Sequence, residues 1–136
     1  NEENRKGFFE HPEIVAFNDQ LLSHLGGCWD NPLFDGPEAI ARADLTTWLV
    51  NASRLFHSIY ADVGITAIKD PRFCQLLHFW MQVFLDCGYS QKEIYIVHVL
   101  REPTEVALSQ QRRAEDTPAF YEIGTQLVEG AALWLS

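Results

Sequence analysis

A chain of 136 residues that is 47% hydrophobic is long enough for one globular domain. Its net charge of -9 argues against a general nucleic-acid binder, which needs a basic surface to neutralise phosphates. No stretch reaches the roughly 18 apolar residues needed to cross a bilayer, and no signal peptide opens the chain. We therefore expect a soluble domain without a membrane segment, in the cytoplasm, in which any phosphate recognition is local.

Both ends of the sequence predict a partial domain. Residue 1 is Asn1 rather than a methionine, and the last residues, GAALWLS, stop within an apolar helical pattern that lacks a closing signal. The expectation is a single partial domain over residues 1–136 that is incomplete at both ends.

Three segments have the i, i+3, i+4 spacing of apolar residues that is typical of amphipathic helices. The first begins near Pro12, a residue type favoured in the first helical turn, and ends at Gly26. A loop rich in Asp, Asn, Pro and Gly follows over residues 28–37. The second helix is predicted over residues 45–60, and the third over residues 72–86.

Two short apolar segments favour β-strands. Residues 65–71, ITAIKDP, are too few for a helix, and residues 93–100, EIYIVHVL, form the nearly continuous apolar run of a strand buried on both faces. Further helices are predicted from Pro103 and from near Thr117. This alternation predicts an α/β fold with parallel strands, in which ligands bind beyond the carboxyl ends of the strands.

A candidate anion site follows the second predicted strand. Arg101 lies at the strand end, and Pro103 begins a helix whose N-terminal N–H groups also favour an anion. Ser109 lies about two turns into that helix and can donate its hydroxyl to the same anion. The alternative is a surface ion pair of Arg101 with Glu102 or Glu105, with Ser109 in solvent.

Three further segments are informative together: GFFEHPEIVAFNDQLLSHLGGCWDNP at residues 7–32, KDPRF at residues 69–73 and REPTEVALSQQRR at residues 101–113. In this order they resemble the sulfotransferase family, especially its bacterial members. The resemblance implies a partial three-layer α/β/α fold of the nucleotide-kinase-like, P-loop NTPase type. It also implies transfer of a sulfuryl group from 3′-phosphoadenylyl sulfate (PAPS) to a hydroxyl or amine. The family's glycine-rich phosphosulfate-binding loop is absent from this chain.

The resemblance implies roles for four residues. Arg101 and Ser109 would bind the 3′-phosphate of PAPS, Lys69 would face the sulfuryl group and the leaving phosphate, and Glu10 would be the catalytic base. Alternatives remain open: Lys69 could pair with Asp70, His11 could replace Glu10 as the base, and Glu10 and His11 could only cap a helix. Asp70, Pro71 and Arg72 are expected to shape a turn, with Arg72 within reach of a carboxylate.

The acceptor would be a small molecule or a glycan, PAPS would be the only cofactor, and no metal is implied. Two other functions fit the same sequence: a catalytically inactive sulfotransferase-like binding module, and a nucleotide kinase-like P-loop protein.

Overall fold

A computed structural model describes residues 10–31, 33–61, 63–99, 102, 104 and 105. They fall into two compact units, one formed by residues up to 29 together with residues 34–94, the other by residues 30–33 and those from 95 onward. All helices with assigned bounds lie in the first unit: α1 (Pro12–His24), α2 (Gly36–Arg42), α3 (Thr46–Tyr60), α4 (Phe73–Asp86) and a 3₁₀ turn (Gln91–Glu93).

The three helices predicted from the apolar spacing are confirmed. Pro12 lies in the first turn of α1, and both α1 and α4 end in Schellman motifs at glycines with positive φ, 81° at Gly26 and 93° at Gly88. In each motif the third residue after the helix donates back to its last full turn, as Tyr89 N does to the carbonyl of Phe84 at 3.1 Å. The glycines therefore end these helices where the sequence predicts.

Helix α4 lies at the centre of the core. Its side chains Leu76, Phe79, Trp80 and Val83 are buried against apolar residues of α1 and α3, which are Ile14, Leu21, Leu22, Ala52 and Phe56. Burial of these large side chains is the main favourable contribution to the folding of the first unit.

The predicted α/β fold is wrong for the described residues, which form helices and no strand. Residues 66–70 and 94–99 have no regular secondary structure, although both were predicted as strands. Tyr95, Val97 and Val99 are 79–85% exposed, whereas a central parallel strand is covered on both faces. An apolar run supplies only β propensity, and a strand also needs a hydrogen-bonded neighbour. The predicted P-loop NTPase architecture is wrong for the same reason, because it requires a parallel sheet and the described residues form no strand.

Helix α2 was not predicted, because residues 28–37 were interpreted as loop and the helix has only seven residues. Asp35 is its N-cap and accepts a hydrogen bond from the backbone N–H of Glu38 at 3.0 Å. The helix packs closely on α4, since a Cβ at Gly36 would lie 2.2 Å from the backbone oxygen of Gln75.

This close approach gives a first testable prediction. Gly36→Ala is expected to lower the free energy of unfolding by about 1–3 kcal/mol, because the added methyl group must push the backbone of α2 from that of α4. Gly64→Ala is the matched control, since a Cβ there meets no atom within 4 Å. Chemical denaturation of both variants measures the difference, and equal stabilities would show that α2 does not pack on α4 in this way.

Candidate functional site

The segment Lys69–Arg72 forms the turn that leads into α4. The backbone N–H of Arg72 donates to Oδ1 of Asp70 at 3.0 Å, and that of Phe73 donates to the carbonyl oxygen of Asp70 at 3.1 Å. The Asp70 carboxylate is 1% exposed. Asp70 and Pro71 thus shape the turn, as the sequence predicts.

A buried chain of hydrogen bonds anchors Asp70. The indole Nε1 of Trp80 donates to Oδ1 of Asn18 at 2.8 Å, and Nδ2 of Asn18 donates to Oδ2 of Asp70 at 2.9 Å. Asn18 and Trp80 are both fully buried. The two bonds satisfy polar groups that would be costly to leave unpaired, and they fix the turn against both α1 and α4.

Arg72 makes a second connection between the turn and α1. Its Nη1 donates to Oδ1 of Asp70 at 3.0 Å, while Nη2 and Nε donate to the two carboxylate oxygens of Asp19, with Nη2 at 3.0 Å. The guanidinium also lies 5.9 Å from the centre of the Trp29 ring. Burial alone would lower the pKa of the Arg72 guanidinium. The hydrogen bonds and charges of Asp19 and Asp70 have the larger combined effect, so the pKa of Arg72 is raised. Arg72 therefore stays cationic and reaches carboxylates, as predicted.

The structure brings the two predicted catalytic residues together. Nζ of Lys69 donates to Oε1 of Glu10 in an ion pair between residues 59 positions apart. The Glu10 side chain is 13% exposed and that of Lys69 is 62% exposed. The carboxylate is therefore sheltered beside α1, while the ammonium remains accessible to a ligand from solvent.

The geometry narrows the alternatives for these residues. Asp70 bonds to Asn18 and Arg72, and Lys69 pairs with Glu10 rather than with Asp70. His11, not Glu10, is the N-cap residue of α1, and its side chain makes no capping hydrogen bond. The His11 ring packs edge-on to Tyr60 with 6.3 Å between ring centres, and its buried Nδ1 lacks a hydrogen-bond partner.

The predicted 3′-phosphate residues, Arg101 and Ser109, lie outside the described residues, as do the predicted helices after Pro103 apart from Thr104 and Glu105. Their role stays a prediction. Glu102 and Glu105, the alternative partners of Arg101, are both exposed.

Sequence reasoning missed the residues that hold the site in place, namely Asn18, Asp19 and Trp80. One signal was available for Asn18. It follows Ile14 by four residues and precedes Leu21 and Leu22, so it occupies a core-facing position of α1. A polar residue on a buried stripe requires a polar partner, but the sequence does not say which one.

Comparison with known proteins adds no relative: no family model, no curated protein and no solved structure matches the chain. Among the described residues, no group of three or more His, Cys, Asp or Glu side chains is arranged to hold a metal ion. Within the same residues, no helix has the length and apolar character needed to cross a membrane.

Proposed function

We propose that this chain is part of a sulfotransferase that moves a sulfuryl group from PAPS to a hydroxyl or amine of a small molecule or glycan. The observation that carries the proposal is the contact between Lys69 and Glu10, which are 59 positions apart. The resemblance implies that Glu10 acts on the acceptor and Lys69 on the sulfuryl group in one transfer step. The two residues must therefore lie close together if the resemblance holds. The proposal uses this contact and does not depend on a parallel sheet.

Each member of the pair has a distinct task in the proposed step. Glu10 accepts the proton of the acceptor hydroxyl as the acceptor oxygen forms its bond to sulfur. The bond between sulfur and the phosphate oxygen breaks, and 3′-phosphoadenosine 5′-phosphate leaves with the electron pair. Lys69 turns from Glu10 to the sulfuryl and phosphate oxygens, where its charge offsets the negative charge that develops. The carboxylate becomes available as a base only when the donor has drawn Lys69 away.

The buried network supports this chemistry by fixing the turn that carries Lys69. Asp70, adjacent to Lys69, is held by Asn18 from α1 and by Arg72. Because Asn18 is itself held by Trp80 of α4, the backbone at Lys69 is fixed in position relative to both α1 and α4. A catalytic side chain carried by a rigid turn loses less freedom when it meets the transition state.

The test of the proposal is transfer of labelled sulfuryl groups from PAPS to a panel of hydroxyl and amine acceptors. Transfer to any acceptor that depends on Lys69 supports the proposal. Binding of 3′-phosphoadenosine 5′-phosphate without transfer to any acceptor would favour the inactive binding module instead.

Recognition of the donor gives a second testable prediction. Arg101→Ala is expected to weaken binding of 3′-phosphoadenosine 5′-phosphate by roughly ten- to a hundred-fold, because a charge-assisted contact to phosphate is worth about 1.5–3 kcal/mol. Ser109→Ala should have a smaller effect, and the two losses should be less than additive because both residues would contact one phosphate. Isothermal titration measures these affinities.

Adenosine 5′-phosphate is the control ligand for this prediction, because it lacks only the 3′-phosphate. Its weak binding should be nearly the same in the wild type and in Arg101→Ala. An equal loss for both nucleotides would mean that Arg101 supports the fold and does not recognise the 3′-phosphate.

A further inference from the structure

A cleft of about 300 Å³ lies at the C-terminal ends of α3 and α4, beside the 3₁₀ turn. Neither Lys69 nor Glu10 lines it. Its volume is at the lower end of the range of small-molecule sites. Six of its lining side chains carry the inference: Phe56, His57 and Tyr60 from α3, Cys87 and Tyr89 from the residues that follow α4, and Glu93 from the 3₁₀ turn.

Aromatic rings form one side of this cleft. The ring centre of Phe56 lies 5.3 Å from that of Tyr60, with an interplanar angle of 45°, and 5.8 Å from that of Tyr89, with an angle of 84°. The three rings therefore lie in different planes. The faces of aromatic rings carry partial negative charge, so a ring whose face meets the cleft favours an organic cation over a neutral molecule of the same shape.

The charges around the cleft also favour a cation. The C-terminal ends of α3 and α4 carry the negative partial charge of the helix dipole. The last turn of α4 contains no basic residue, and the last turn of α3 contains only His57. None of the described residues that line the cleft is a lysine or an arginine.

Glu93 supplies a fixed negative charge at the cleft near neutral pH. Hydrogen bonds from the hydroxyl and the backbone N–H of Ser90 lower the pKa of Glu93, so this residue is a carboxylate. Burial raises the pKa of the Cys87 thiol, which stays neutral. His57 Nδ1 lies 2.9 Å from the carbonyl oxygen of Ser53, which can only accept, so Nδ1 is the donor. Cys87 and His57 thus do not form a thiolate pair for nucleophilic chemistry.

We propose that this cleft binds a small organic ammonium ion that carries an apolar or aromatic group. The ammonium lies between the aromatic faces and the Glu93 carboxylate, and the apolar group occupies the rest of the cleft. The site is separate from the proposed sulfuryl transfer, so either proposal can fail without the other.

The test is titration of the full chain with three probes, in which isothermal titration calorimetry or NMR measures the binding. Phenethylamine is a primary ammonium, choline is a quaternary ammonium, and 2-phenylethanol is the neutral counterpart of the first. Phenethylamine or choline should bind about ten-fold more tightly than the alcohol, because only the cations gain from the aromatic faces and from the Glu93 carboxylate. Equal affinity for amine and alcohol, or no binding of either cation, would overturn the proposal.

Two variants and a control locate the site. Glu93→Gln removes the charge and keeps a side chain that can complete the same capping box with Ser90, so about ten-fold weaker amine binding is expected with unchanged stability. Tyr89→Leu should weaken it as well, because a ring face is lost. Glu38→Gln, on the surface of α2 and outside the cleft, should bind like the wild type. Unchanged binding in Glu93→Gln would exclude the carboxylate and with it the proposal.

Discussion

Asp70→Ala is expected to lower the free energy of unfolding by about 3–5 kcal/mol, the usual range for removal of one partner of a buried ion pair. The variant leaves Nδ2 of the fully buried Asn18 without its acceptor and deprives the Arg72 guanidinium of one carboxylate. The turn before α4 also loses the side-chain acceptor of the Arg72 backbone N–H. Chemical denaturation, monitored by tryptophan fluorescence, measures the loss.

Asp19→Ala is the matched control, because Asp19 is bonded to the same guanidinium but its side chain is 46% exposed. Its loss should be about 1 kcal/mol or less, as is usual for exposed ion pairs. Equal losses in the two variants would mean that the buried bonds to Asn18 do not hold the turn. The loss of stability in Asp70→Asn should lie between those of the two alanine variants. An asparagine keeps the shape of the side chain, but its one oxygen must accept from all the donors of Asn18 and Arg72.

Lys69→Ala is expected to lower the turnover of PAPS by about 100- to 1000-fold, the range seen when one group that stabilises developing charge is removed. Binding of 3′-phosphoadenosine 5′-phosphate should change much less, because the charge of Lys69 is needed most in the transition state. Glu10→Gln should also reduce turnover with little effect on binding, since it removes the base. Steady-state rates and nucleotide affinities separate these effects.

Two controls distinguish a chemical role from a structural one. Lys92→Ala removes another exposed lysine and should leave turnover unchanged. Lys69→Ala should itself retain its stability to within about 1 kcal/mol, because an ion pair with one exposed member contributes little. A large loss of stability, or parallel losses of turnover and binding, would assign Lys69 to the fold.

The helices of the core could be predicted because their information is local. Apolar residues on one face and the stops at Gly26 and Gly88 lie within each segment. The same local reasoning was wrong for residues 94–99, because a strand needs pairing and covering by other parts of the chain, which a local pattern does not specify. Helix α2 was within reach, since Asp35 and Glu38 have the spacing of a helix start, but residues 28–37 also resemble a turn.

In the candidate site, too, the long-range contacts could not be predicted from local sequence patterns. Lys69 and Glu10 are predicted from the resemblance alone, since neither composition nor periodicity points to this pair. The bonds that hold their turn, from Trp80 through Asn18 to Asp70, join residues 62 and 52 positions apart. No local pattern specifies such partners, so only the folded chain identifies them.

The central claim, that Lys69 and Glu10 act together in sulfuryl transfer, is tested most directly by a double-mutant cycle on PAPS turnover. The four proteins are the wild type, Lys69→Ala, Glu10→Gln and the double variant. The double variant should be only slightly slower than the worse single variant, because residues that act as a unit in one step have strongly non-additive effects. Fully additive losses, or no transfer by the wild-type protein, would contradict the claim.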